Sequence, residues 1–266
     1  MLSPRQTAIM SQIRQEGRVL VEELAQVFGT TPQTIRKDLR ALEAAHLVNR
    51  FHGGATLLAG VEYTSFEVRR DIAAPQKEAI GAAVAERLPN NVALLINAGT
   101  TTAAVARALG RHVGLKVISD NVGIANELRK FPGVDVMVPG GTVRHSDGSI
   151  VGAGAVEFIR QFRADFAVIG AAAVAEDGAL LDFDLREAHV ARAIIENARH
   201  VILAVDSGKF GRSAPVRIGH VRQIHSLVTD RCDSPALRRL CRTHDVDLVE
   251  AAPHRTEPQP ALTGQG

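Results

Sequence analysis

Cysteine is scarce: Cys232 and Cys241 are the two in 266 residues, they stand close together near the C-terminus, and they form no framework. That excludes a fold stapled by disulfides, and the pair is expected as free thiols in a reducing cytoplasm. No apolar run approaches the roughly 20 residues that span a bilayer, and the first residues, MLSPRQTAIM, lack the apolar stretch of a signal peptide. A cytoplasmic protein without a membrane partner is the expectation. A large charge imbalance is missing too. With a formal net charge of +2, nucleic acid can be held only where positive charge is concentrated locally. No internal repeat of solenoid length is present. The histidines show no ligand spacing except His220 with His225, a pair across a turn, whereas a zinc site wants four ligands closely set. No metal, cofactor or catalytic set is expected.

What is there belongs to a globular chain, with 45% hydrophobic and 23% charged residues. The length suits a small domain plus one of ordinary size. Residues 1–57 read as short helices with a hairpin. Ala8, Ile9 and Ile13 stand at helical spacing, as do Val21, Leu24, Ala25 and Phe28 after a break at Gly17. Gly29 ends the second helix by tolerating a left-handed backbone. Thr31 is an N-cap candidate, and Pro32 takes the first helical position, where its missing N–H costs nothing. Ile35, Leu39 and Leu42 supply the buried stripe of a third helix. Leu47 and Val48 begin an extended segment that Gly53-Gly54 turns back toward Ala55-Thr56-Leu57, a wing.

On that third helix Gln33, Thr34, Arg36, Lys37 and Arg40 face outward, with side chains that bond base edges or phosphates. The N-terminal residues of such a helix reach the bases in helix-turn-helix docking. Gln33, Thr34 and Lys37, with Thr31 at the cap, are therefore the readout candidates. Arg36, Arg40 and the wing residues Arg50 and His52 are candidates for phosphate contacts. A charged helix face is by default only solvated; the order helix, Gly turn, capped helix, Gly-Gly wing sets this one apart.

From Leu58 to Ala74 no period is sustained, and residues 58–74 read as a linker. Beyond Pro75, strand-like runs (Val92–Ile96, Leu115–Ser119, Val134–Val138, Asp165–Ile169, His200–Val205, Ile224–Thr229 and Val246–Val249) alternate with helical stretches. Alternation of that kind makes an α/β domain with a mostly parallel sheet over 75–252. Residues 253–266 are polar and broken by proline and glycine, and read as a disordered tail.

Arg5, Ile9 and Ile13, then Thr31 and Thr34-Ile35-Arg36-Lys37-Asp38-Leu39, with His52-Gly53-Gly54-Ala55 as the wing, resemble the N-terminal signature of the DeoR family of repressors. In that family Asp38 is not a base contact; a salt link to Arg36 or a neighbouring helix suits it better. The second domain is similar to the family's C-terminal domains, which look like sugar-phosphate isomerases of the ribose-5-phosphate type.

Four loops carry that second likeness, and each suits an anionic polyol. Asn97-Ala98-Gly99-Thr100-Thr101-Thr102 follows a strand and precedes a helix expected over Ala103–Leu109, so Gly99, Thr100, Thr101 and Thr102 offer backbone N–H groups at a helix start. Ser119-Asp120-Asn121 ends the next strand, where open α/β sheets bind ligands, and Ser119 and Asn121 are the candidates there. Gly140 and Gly141 permit close backbone approach or simply turn the chain, and Arg144 can pair with an anion or an acidic neighbour. Asp184 and Glu187, one helical turn apart, can accept bonds from ligand hydroxyls; alternatively Glu187 makes a surface salt bridge with Arg192 or another neighbour. Lys209, in Asp206-Ser207-Gly208-Lys209-Phe210-Gly211, suits a phosphate or a carboxylate.

Gln161–Phe166, Arg192–Val201 and Lys209–Arg212 resemble members that govern glycerol metabolism. The resemblance implies repression of glycerol and glycerol-3-phosphate genes, operator double-stranded DNA as partner, glycerol-3-phosphate as inducer, and a homo-oligomer. Much of the family has Asp at Asn97 and Lys at Ala191, and both departures bear on effector preference. The other readings are a regulator responding to a different phosphorylated ligand, or an activator, and an active isomerase with Glu187 as base. Asn97 and Ala191 count against a complete catalytic set.

Overall fold

The computed structural model describes residues 2–16, 18–45, 47–51, 53–57 and 66–251. The break at Gly17, the wing residue His52, the first part of the expected linker and the tail 253–266 lie outside them. The chain divides into two units, Met1–Thr64 and Ser65–Gly266.

The first unit runs α1 (Pro4–Glu16), β1 (Arg18–Leu20), α2 (Val21–Val27), α3 (Pro32–Ala44), β2 (Val48–Phe51) and β3 (Gly54–Leu57). α3 starts where its sequence says it must: Thr31 Oγ1 accepts the Thr34 N–H at 3.2 Å, and Pro32 opens the first turn. Gly29 stops α2 at φ +56°. Ile35, Leu39 and Leu42 of α3 are fully buried against Ile9, Met10 and Ile13 of α1 and Leu24 of α2. Truncating one such Leu to Ala costs roughly 2–5 kcal/mol. β2 and β3 form the antiparallel wing, and β1, which the sequence did not reveal, adds a third strand against β3. A strand this short leaves no period to read. Gly54 is required there, because a Cβ would collide with the Val19 carbonyl and the Phe51 ring.

The second unit opens with α4 (Phe66–Asp71) and α5 (Ala74–Ala85), both of which begin inside the expected linker. α4 is shorter than two helical turns, too short to show a periodic stripe. Then follow β4 (Ala93–Ile96), α6 (Thr100–Ala108), β5 (Leu115–Ser119), α7 (Val122–Leu128), β6 (Val134–Met137), α8 (Ala153–Arg160), β7 (Ala164–Ile169), β8 (Ala173–Val174), β9 (Ala179–Asp182), α9 (Leu185–Glu196), β10 (Ala198–Ala204), β11 (Val216–His220), β12 (Ser226–Thr229), α10 (Pro235–Thr243) and β13 (Asp247–Glu250). α6 starts at Thr100, earlier than the Ala103 expected from its apolar residues, because the three threonines are taken into its first turn.

Seven strands make one parallel sheet in the order β13-β12-β10-β7-β4-β5-β6. The alternating side chains explain why these strands read as unbroken apolar runs. Leu95, Ile118, Ile169 and Leu203 enter a core beneath α8, α9 and α10. Their neighbours Leu94, Ile96, Val117, Val168 and Ile202 enter the opposite core beneath α5, α6 and α7. A small antiparallel sheet, β11-β9-β8, stands apart. The chain leaves β4 toward β5 and β6, then returns to put β7 on the other side of β4. That reversal makes the carboxyl ends of β4, β5 and β7 the topological switch point, the crevice position at which doubly wound sheets take ligands.

Candidate nucleic-acid interface and effector crevice

On α3, Gln33, Arg36, Lys37 and Arg40 are exposed, and Thr34 is half-buried. Thr31 is committed to the cap, its hydroxyl also 3.0 Å from that of Thr34. Asp38 points inward and is buried. It accepts from Arg5 Nε at 2.6 Å and from Gln6 Nε2 at 3.3 Å, so its partner is the neighbouring helix α1 and not Arg36. Arg36 reaches Glu22 of α2 at 3.3 Å, and Arg50 of the wing reaches Glu43 of α3 at 3.2 Å. Both pairs are exposed, so they hold the guanidinium groups only loosely. The remaining DNA candidate, His52, lies outside the described residues.

In the second unit the loop after β4 is held from both sides of the crevice. Asn97 Oδ1 accepts the Gly170 N–H at 2.9 Å at the end of β7. Asp120 Oδ1, at the end of β5, accepts the Ala98 N–H at 2.7 Å. The Thr102 hydroxyl is spent within the loop, donating to Asn97 O at 2.7 Å. Gly99 caps the start of α6 at the switch point, and Thr100 and Thr101, which open its first turn, are buried there. Ser119 and Asn121 are buried and structural. Asn121 Oδ1 caps α7 through the Ile124 N–H at 3.0 Å, its Nδ2 donates to Asp147 O at 2.8 Å, and Ser119 Oγ accepts the Asn121 N–H. Gly140 and Gly141 are exposed in the loop after β6, Gly141 at φ +144°.

Arg144 stands in that same loop and takes the second of its two expected roles. Its guanidinium bonds Asp147 at 2.9 Å through Nε and Asp184 at 2.9 Å through Nη1, and it also bonds Glu187. Asp184 caps α9 by accepting the Arg186 N–H at 2.7 Å. The Arg186 bonds, with Arg144 behind them, draw its carboxyl down to about 2. Glu187 therefore pairs with Arg144 rather than with Arg192, which donates to Arg217 O. Burial, reinforced by the charge of Asp182, pushes Glu187 up to about 7 despite Arg144. Burial raises Asp120 to about 7 as well, with Glu187 adding to the shift and the Ala98 N–H opposing it. Asp182 is raised by its own burial. This end of the crevice holds more carboxyl than guanidinium.

The other end is cationic. Lys209 follows β10 in a tight turn closed by Asp206, which accepts the Gly208 N–H at 3.1 Å. Lys77, in the first turn of α5, is 4% exposed. Burial lowers it to about 8, against the field of Asp206 and with that of Lys209. Lys77, Asp120 and Asp182 were missed as site residues. Lys77 had a signal: it lies three and seven residues before the buried Ile80 and Val84, a lysine on an apolar stripe. Ala191, on the inner face of α9, is buried in the core. His220 faces His244 and His225 faces His200, so that pair forms no ligand set, and no metal-binding cluster occurs among the described residues. Cys232 and Cys241 are buried free thiols. Among the described residues no helix is long and apolar enough to cross a membrane.

A winged helix-turn-helix in one chain with a parallel α/β domain, polar at its strand switch, is the make-up of a DNA-binding transcription regulator with a sensor domain. The chain belongs to the DeoR family: residues 5–61 match the DeoR-like helix-turn-helix domain, and residues 72–231 match the DeoR C terminal sensor domain. It is 39% identical over 244 residues to the glycerol-3-phosphate regulon repressor of Escherichia coli (strain K12), covering 92% of this chain and 97% of that one. To the protein of the same name from Haemophilus influenzae it is 40% identical over 227 residues, 85% of this chain and 89% of the other. The HTH-type transcriptional repressor CsqR of Escherichia coli is 36% identical over 247 residues, 93% and 95% of the two chains. Among solved structures, ribose 5-phosphate isomerase A from Methanocaldococcus jannaschii superposes with a TM-score of 0.40 at 14% identity, over 52% of this chain and 55% of that one. The Pyrococcus horikoshii translation initiation factor eIF-2B gives 0.46 at 15% identity, over 84% and 86%.

Proposed function

We propose that this protein represses genes of glycerol and glycerol-3-phosphate metabolism and leaves its operator when a phosphorylated polyol, glycerol-3-phosphate, fills the crevice at the β4–β7 switch. One observation carries the reading: the crevice is bipolar. Lys77 and Lys209 stand in one another's field with Asp206 beside them, and Asp120, Asp182 and Glu187 form an acidic group, Asp120 also holding the start of α6 through the Ala98 N–H. A phosphorylated polyol has the matching polarity, a phosphate for the amines and helix start and hydroxyls for the carboxyls. Relatives named for the glycerol-3-phosphate regulon, at 39% and 40% identity, favour that ligand over a ketohexose phosphate.

Gln33, Thr34 and Lys37 read bases, with Thr31 fixing the start of their helix, while Arg36, Arg40, Arg50 and His52 contact phosphates. The protein acts in the cytoplasm as a homo-oligomer, since paired half-sites multiply affinity. It is a regulator and not an isomerase. A carboxyl near 7 would suit proton abstraction, but Glu187 is engaged by Arg144. The effector can weaken DNA binding only by favouring one state of the protein over another.

The test is binding to the protein's own upstream DNA with glycerol-3-phosphate, glycerol, fructose-1-phosphate and fructose-6-phosphate added in turn. Release by glycerol-3-phosphate alone is the expected result, and indifference to all four overturns the effector class. Lys209→Ala should spare DNA binding and blunt the response.

A further inference from the structure

Lys77 has a second set of partners. Its ammonium donates to the carbonyl oxygens of Arg69 and Ile72, the latter at 2.7 Å. These carbonyls belong to the last turn of α4 and the residue after it, groups a helix leaves without partners of its own. The same amine stands in the field of Asp206 and Lys209 at the cationic end of the crevice. The carbonyl-bearing residue Arg69 also brings its positive charge to both Lys77 and Asp182.

An independent observation marks the joint beyond α4. Ala73, between α4 and α5, has φ +53°, a left-handed backbone that a residue with a Cβ adopts only under strain. Its carbonyl accepts the Lys77 N–H at 3.0 Å. The strained joint is thus fastened by Lys77 through both its main chain and its side chain. α4 is also the first helix after the division of the chain at Thr64 and Ser65, covalently next to the DNA-binding unit.

We propose that Lys77 is the positioning residue through which an anion in the crevice is felt by α4. A phosphate bound there draws the ammonium off the Arg69 and Ile72 carbonyls, the end of α4 loses its fastening, and the strain at Ala73 is released into the segment leading to the DNA-binding unit. This rests on the crevice being the effector site.

The experiment is hydrogen exchange of the full chain, followed over residues 66–73 with and without glycerol-3-phosphate, beside calorimetric binding of that ligand and operator binding. In the unmodified protein, bound ligand should speed exchange in this segment about tenfold, the change expected when bonds from a charged donor are lost. Lys77→Met should show the same fast exchange and weakened operator binding without ligand, while the amides of β4 and β7 stay protected. Ala73→Gly removes the strain, so release from the operator should need about threefold more ligand; it carries the test should Lys77→Met not fold. Ligand binding that leaves 66–73 unchanged overturns the coupling but spares the crevice as a site. Unchanged exchange in Lys77→Met overturns the fastening itself. No calorimetric binding overturns the reading of the crevice, and this inference with it.

Discussion

Arg5 donates through Nε to Asp38 Oδ2 at 2.6 Å and so ties α1 to the recognition helix. The carboxylate is buried and the guanidinium is not. Asp38→Ala should therefore cost about 1–3 kcal/mol, the range for a buried charge-assisted bond left half unmade, read as a lower denaturant midpoint for the first unit. The sign of the effect on DNA binding discriminates. Removing an acid would tighten binding if charge alone counted; weaker binding identifies Asp38 as the residue that sets the helix.

Two positions on α3 should separate specificity from affinity. Arg40→Ala should weaken binding to all duplexes alike and lower the salt slope by about one. Gln33→Ala should cost about 1–3 kcal/mol at the operator and little on unrelated DNA. Titrations on both duplexes at several salt concentrations give the answer, and equal losses for Gln33→Ala on the two would remove it from base readout.

Asn97→Asp tests the departure at the β4 loop. A carboxylate oxygen can still accept the Gly170 N–H that Asn97 Oδ1 accepts at 2.9 Å, but the group is buried and the Nδ2 bond to Gly170 O is lost, so Tm at neutral pH should fall. A new negative charge beside the start of α6 should weaken a phosphorylated effector about tenfold, while uncharged glycerol is unaffected. Calorimetry with both ligands measures the difference.

The buried carboxyls predict a pH dependence. Asp120 and Glu187 are raised to about 7, so between about pH 4 and pH 7 the folded protein holds protons that the unfolded chain has released. Stability contributed by these groups is complete below that window and is lost as pH rises through it. Lys77, lowered to about 8, has the opposite slope at higher pH, where the unfolded chain binds the extra proton. Asp120→Asn should match the unmodified protein at about pH 4 and exceed its Tm by several degrees at about pH 8, given about 2–4 °C per kcal/mol in a domain of this size. A constant Tm difference across that range would contradict the assignment.

The recognition helix was legible because its signals are local. Thr31, Pro32 and the stripe Ile35, Leu39, Leu42 act within a few residues of one another. The seven parallel strands were legible because burial on both faces leaves apolar runs that polar helix faces interrupt. β1, β8, β9 and β11 were not: they belong to the two small antiparallel sheets, where short strands lack the two-sided burial that makes an apolar run.

By itself the sequence determined a capped recognition helix beside a glycine wing, an α/β domain behind it, and the polar loops that end its strands. Only the tertiary structure decided what those polar groups do. Arg144 meets Asp184 and Glu187 across 40 and 43 residues, so a guanidinium free to take an anion became the counter-charge of an acidic cluster. Thr31 is spent on its own helix and Asp38 on α1. Lys77 turned from one more helical lysine into a buried ammonium bonded to the carbonyls at the end of α4. The physical reason is the same in each case: a charge's partners are set by which chain segments the packed core brings within a few ångströms, and that proximity is not written in the spacing of residues along the chain.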